Sequence, residues 1–146
     1  MSIARTGKAR QQGFGMIEVL IAVLVLSIGV LALAQLQMSG LRNANSAALR
    51  LEAVNLTHDM LERMRANRRD ALDGLYDVAI GGDSAAGGRV QQDIEEWKAA
   101  LATLLPDGDG SIATDGGEIT ITAQWTESWD ADLAGEPAMV RLRSEP

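Results

Sequence analysis

The stretch QQGFGMIEVLIAVLVL, residues 11–26, sets one carboxylate, Glu18, at the mouth of a long apolar run. From Val19 to Leu41 no residue carries a charge, 23 positions in all. As a helix at ~1.5 Å per residue these would span about 34 Å, enough to cross a hydrocarbon core of about 30 Å. The core helix of a soluble protein usually keeps a polar stripe, and VLIAVLVLSIGVLALA, residues 19–34, has none. A charged side chain inside a bilayer costs roughly 2.5–3.5 kcal/mol even on mild insertion scales, so Glu18 calls for a partner.

The flanks orient the run. Arg5, Lys8 and Arg10 precede Gly13 and no acid does, which holds that end in the cytoplasm and sends the carboxyl-terminal part out. An ordinary secretory signal is cut at small residues after its apolar region. Here residues 37–72, QMSGLRNANSAALRLEAVNLTHDMLERMRANRRDAL, read on as helix, so a cut after the run is not expected.

Charge and composition narrow the classes. The net charge is −7, and without residues 1–13 the chain would carry 10 basic and 20 acidic residues. An acidic exported part argues against nucleic acid as a partner. There are no cysteines, so disulfides and thiolate metal sites are excluded and the exported part must rest on its core. Aromatic residues make up only 3% of the chain, so its tryptophans should matter to that core.

A short basic leader ending in Gly13, then Phe14, a glutamate four residues on and a long apolar helix together resemble the type IV pilin class, including the type II secretion pseudopilins. The resemblance rests on Gly13, Phe14, Ile17, Glu18, Val19, Leu20 and the placement of the run. Gly15 and Met16 depart from the commoner Thr or Ser and Leu. Gln35 stands where many major pilins carry a helix-bending proline, so no proline kink is expected. The resemblance implies that a membrane-embedded prepilin peptidase cuts between Gly13 and Phe14 and methylates the new amine of Phe14. That amine lies one helical turn from Glu18, within reach in one chain. By resemblance, Glu18 also pairs with the amine of a neighbouring subunit during assembly. A charge buried without its partner is heavily penalised, so such a pair would set the axial register of packed helices.

Beyond Leu41 the helix turns amphipathic. Ala53, Leu56, Met60 and Met64 recur at three- and four-residue spacing, with Leu61 alongside. Asp59 with Arg63 and Glu62 with Arg65 are spaced for exposed helix pairs. Arg63, Arg65, Arg68 and Arg69 crowd the helix end, where the dipole favours cations. The wording ERMRANRRDAL, residues 62–72, resembles the PilV branch of minor pilins. His58 has no second nitrogen or sulfur ligand with which to build a zinc site.

The carboxyl-terminal part reads as α+β. GGDSAAGG, residues 81–88, is a surface loop. Asp93 is expected as an N-cap with Glu96 in capping-box position, opening a helix whose apolar face is Ile94, Trp97, Leu101 and Leu104 or Leu105, ended by Pro106. EITITAQW, residues 118–125, alternates as a half-buried strand with Ile119, Ile121, Ala123 and Trp125 facing in. After a turn in DADLAGEP, residues 130–137, AMVRLR alternates again with Ala138, Val140 and Leu142 inward. A third short strand is expected near Ser111–Thr114. Asp107, Asp109, Ser111, Asp115 and Glu118 fall at ligand positions of an EF-hand-like loop, but Ile112 stands where the sharp turn wants glycine and strand follows. Acidic turn residues are the simpler reading.

The expected organisation is therefore a leader at 1–13, a transmembrane and assembly helix at 14–41, an amphipathic continuation at 42–72 and a small periplasmic α+β domain at 73–146. No nucleophile–base pair, phosphate loop or metal cluster appears, so neither catalysis nor a cofactor is expected. The resemblance implies a minor pilin of the bacterial inner membrane and then of the pilus. Its implied partners are the peptidase, other minor pilins, the major pilin, the assembly platform and, before assembly, membrane lipid. A type II secretion minor pseudopilin shares the leader logic. A signal-anchored periplasmic sensor or calcium-binding module is the reading from another class, and it requires that residues 1–13 stay on the mature protein.

Overall fold

The structure, a computed structural model, describes residues 15–127 and 137–145. The Gly13–Phe14 junction, the turn expected at 130–137 (Pro137 apart) and Trp129 lie outside them. Helix α1 runs Met16–Ala66, α2 Arg68–Leu72 and α3 Gly88–Leu104; the strands are β1 Asp109–Asp115, β2 Glu118–Trp125 and β3 Ala138–Ser144. The chain divides into two compact units, one ending at Leu41 and one beginning at Arg42, with α1 contributing to both.

Among the described residues the first unit is helix α1 as far as Leu41, preceded by Gly15. Helix α1 continues through Gly29 and Gln35 without interruption. With no proline inside it, every backbone N–H can bond four residues back.

The second unit is a helix-on-sheet sandwich. The sheet is an antiparallel meander in the order β1-β2-β3. Its register sets Ile112 opposite Ile121 and Ile121 opposite Leu142, so one face is apolar across all three strands. Ile119, Ile121, Ala123 and Trp125 are buried, as the alternation predicts, and Val140 and Leu142 pack against them. From α1 come Ala53, Thr57, Met60, Leu61 and Met64; from α3 come Val90, Ile94, Trp97 and Leu101. Thr57 tolerates full burial because its hydroxyl donates to the Val54 carbonyl (2.8 Å). The indole of Trp97 donates to the Leu56 carbonyl (3.0 Å), tying α3 to α1 inside this unit.

Two expectations need correcting and one open alternative is decided. Helix α3 starts at Gly88 with Gly87 as N-cap, so Asp93 does not cap it. Val90 lies four residues before Ile94 and extends the apolar face backwards, which makes the earlier start favourable. Asp93 is then a buried interior residue, 2% exposed. At the other end Leu105 is 2% exposed and Leu104 49%, so Leu105 completes the core. The long helix also stops short of Leu72. Asn67, at φ −120°, interrupts it before the separate turn of α2.

Gly110 closes the stretch LPDGDG, residues 105–110, for a packing reason. A Cβ there would run into the Trp97 ring and lie 2.8 Å from a Leu101 methyl and 2.9 Å from the Thr122 carbonyl oxygen. Glycine lets β1 pass directly beneath α3.

Candidate functional site

Glu18 stands in the first turn of α1, where the helix dipole favours a carboxylate. The Gly15 carbonyl accepts the N–H of Glu18 (3.0 Å) and of Val19 (3.4 Å), so the helix is wound before Glu18 is reached. Below the carboxylate, Val19, Ala22, Val23 and Leu26 line a shallow groove along one side of the helix.

Around that carboxylate the apolar surface is complete and outward. Ile17 is 72% exposed, Leu36 70%, and Val19, Leu20, Ile21, Leu24, Leu31 and Leu33 all stand clear. None of the most apolar stretch is buried against the chain. Ser27 hides its hydroxyl by donating to the Val23 carbonyl (2.7 Å), the way a lone hydroxyl is satisfied in a lipid-facing helix. Among the described residues α1 is the one helix long and apolar enough to cross a membrane.

The other sequence constellations resolve into structural roles. Arg63 bonds Asp59 (3.0 Å) as spaced, but it also reaches Glu96 (2.7 Å) and Asp93 (3.4 Å) on α3. Glu96 holds the Arg63 guanidinium above its ordinary value, and Arg63 in turn holds the Glu96 carboxyl below the usual carboxylate range, with Gln92 adding to the effect. The buried Asp93 carboxylate also receives Arg89 (3.0 Å) and the Tyr76 hydroxyl (2.9 Å). Burial raises the Tyr76 hydroxyl above its ordinary value. Asn67 donates to Asp70 (2.8 Å) and to the Tyr76 oxygen (3.3 Å). The ERMRAN segment therefore fastens the end of α1 to α3 through one polar cluster. The roles of Tyr76 and Asp93 carry no periodic signal: sequence reading gives Asp93 a capping role it does not have and passes over Tyr76.

The EF-hand-like positions do not form a loop. Asp109 and Asp115 are the two ends of β1, with Ser111 between, and Glu118 opens β2. Asp109 faces Lys98 (3.1 Å) and accepts the N–H groups of Gly81 and Gly110. Burial pushes its carboxyl up, but those two backbone donors and Lys98 outweigh it and hold it below the usual range. Among the described residues no group of three His, Cys, Asp or Glu side chains could hold a metal ion. His58 is an exposed residue of α1.

Residues 8–34 match the family described as Prokaryotic N-terminal methylation motif. The amino terminus is type IV prepilin-like. No curated protein and no solved structure matches the chain. The motif supports a prepilin-peptidase substrate of the pilin-like or pseudopilin kind, which points to a structural role. The apolar helix within the match fits a single-pass inner-membrane anchor of the prepilin type.

Proposed function

We propose that this chain is a minor type IV pilin resembling the PilV branch, made as a prepilin and used in pilus assembly. Residues 1–13 leave by cleavage between Gly13 and Phe14, and the new amine of Phe14 is methylated. Glu18 pairs with the Phe14 amine, its own before assembly and a neighbour's within the filament. Residues 14–41 hold the chain in the inner membrane and then pack among other pilin helices. Residues 42–146 lie in the periplasm before assembly. The partners are the peptidase, the assembly platform, other minor pilins and the major pilin. The observation that carries this reading is an apolar helix exposed on every side, with one carboxylate in its first turn, inside the matched motif.

Glu18→Ala tests it. Membrane insertion should persist, since a polar cost is removed. Leader removal should persist, since the Gly13–Phe14 bond is untouched. Recovery in sheared pili should collapse, because a neighbour's amine would be buried unpaired, a loss of about 3–5 kcal/mol. Glu18→Gln should fail more mildly. Normal recovery of Glu18→Ala in pili would sink the pairing, and a mature terminus at Met1 would sink the whole assignment. Recovery with the secretion machinery and not with pili would turn the assignment to a minor pseudopilin.

A further inference from the structure

Among the described residues the β1 edge of the sheet is bridged at one point and the β3 edge is open throughout. Val78 bridges Ile112 on the outer side of β1, its N–H donating to the Ile112 carbonyl (3.0 Å) and its carbonyl accepting the Ile112 N–H (2.9 Å). The backbone groups of Ile112 therefore turn away from β2, and those of its cross-strand neighbour Ile121 turn toward β3. Ile121 pairs with Leu142, so Leu142 bonds inward. By alternation the N–H and C=O groups of Met139, Arg141 and Arg143 point out of the sheet. Among the described residues no other segment bonds to them, and all three residues are exposed.

The same positions carry charge of one sign. Arg141 and Arg143 lie two residues apart, about 7 Å along a strand. Neither has an ion-pair partner among the described residues. A third guanidinium, Arg65, reaches the far end of β3 by donating to the Ser144 hydroxyl (3.3 Å). This strip runs against the rest of the unit, which from Arg42 onward has 10 basic and 19 acidic residues.

We propose that the β3 edge is a docking site for an extended strand of another protein, with carboxylates at alternate positions. Its backbone would complete the bonds of Met139, Arg141 and Arg143, and its carboxylates would meet the two guanidiniums. A second copy fits neither way. Pairing β3 with β3 sets arginines against arginines, and like charges across strands repel. Pairing β3 with β1 is blocked at Ile112, whose outward groups are already bonded to Val78. A lipid headgroup would answer the arginines but not the row of backbone groups. This inference rests on residues 138–144 and is independent of the pilus reading.

The test uses the isotope-labelled full chain in non-ionic detergent, with folding of each variant checked by circular dichroism. The probe is the capped heptapeptide Thr-Glu-Val-Glu-Val-Glu-Thr. Its controls are the same peptide with lysine for glutamate, and two versions N-methylated at alternate residues in opposite phase. The expected result is amide shifts centred on 138–144. Affinity should fall about tenfold or more in Arg141→Glu/Arg143→Glu, with lysine in the peptide, and with one methylation phase but not the other. Absence of shifts would mean that the arginines only guard the edge against pairing, and would overturn the proposal. Equal binding of the lysine peptide, or binding that survives both methylation phases, would overturn it as well. So would loss of binding to anionic vesicles in the double variant with no response to the peptide.

Discussion

Two stretches of one helix use the same residues in opposite ways. From Val19 to Leu41, α1 presents leucine, isoleucine and valine on every side, and none is covered by the chain. From Ala53 to Met64 the same helix confines its apolar residues to one stripe and buries it under α3 and the sheet. The amino-acid types overlap; the periodicity does not. An amphipathic stripe is a request for a core that the chain itself supplies. An all-round apolar surface is a request for a solvent or partner from outside, which in water alone would be an aggregation liability. The comparison separates a part whose stability is intramolecular from a part whose fate is decided by membrane and neighbours.

The sharpest way to break it is through the core. In the fragment from Arg42 onward, Trp125→Ala should cost about 3–5 kcal/mol, the range for truncating a large buried aromatic. Thermal or denaturant melting checks this, and reductant should change nothing in a chain without cysteine. Melting like the parent would mean that the unit does not rest on its own core. Trp125→Phe should be far milder, because the Trp125 Nε1 makes no hydrogen bond among the described residues.

Next comes the close approach of β1 to α3. Gly110→Ala forces a methyl against Trp97, Leu101 and the Thr122 carbonyl, and overpacking of this kind costs about 1–3 kcal/mol. Gly29→Ala on the apolar helix meets nothing within 4 Å, and should leave membrane extraction and helix content unchanged. Equal effects at the two glycines would erase the distinction between the regions.

Much of this was legible in advance. Strands β2 and β3 were readable because Ile119, Ile121, Ala123 and Trp125 alternate, and so do Ala138, Val140 and Leu142. The bury-or-expose contrast along α1 follows from period alone. What was not legible came from residues whose partners are distant in sequence. Asp93 three before Glu96 imitates a capping box, and only the packed α3 shows that it faces Tyr76 and two arginines instead. Spacing gave Arg63 to Asp59, but no spacing rule reaches Glu96, 33 residues on. The acidic residues of 107–118 imitate a metal loop because turns and metal loops both favour aspartate.

The smallest effects separate the two arginines of ERMRAN, Arg63 and Arg65, which lie two residues apart in sequence and differ in depth. Arg63→Ala removes one of the two guanidiniums on the buried Asp93 and the bond that holds Glu96. Asp93 keeps Arg89 and the Tyr76 hydroxyl, so the cost should be about 1–2 kcal/mol. The pH dependence carries a second signature. The folded Glu96 carboxyl lies below its unfolded value, so its contribution is present above the unfolded value and is lost as pH falls through the folded one. Removing Arg63 should therefore flatten the loss of stability on acidification below about pH 4. Tyr76, raised by burial, acts at the other end, its contribution being complete below the unfolded tyrosine value and lost at higher, alkaline pH. Glu62→Ala is the counterpart. It breaks the 2.6 Å pair with Arg65, but the two side chains are 64% and 43% exposed, where ion pairs contribute about 0–1 kcal/mol and often nothing measurable. Its melting curve and acid limb should overlay those of the parent. A Glu62→Ala cost equal to that of Arg63→Ala would mean that the motif acts through surface charge alone, and that the buried Asp93 cluster is not what fastens α1 to α3.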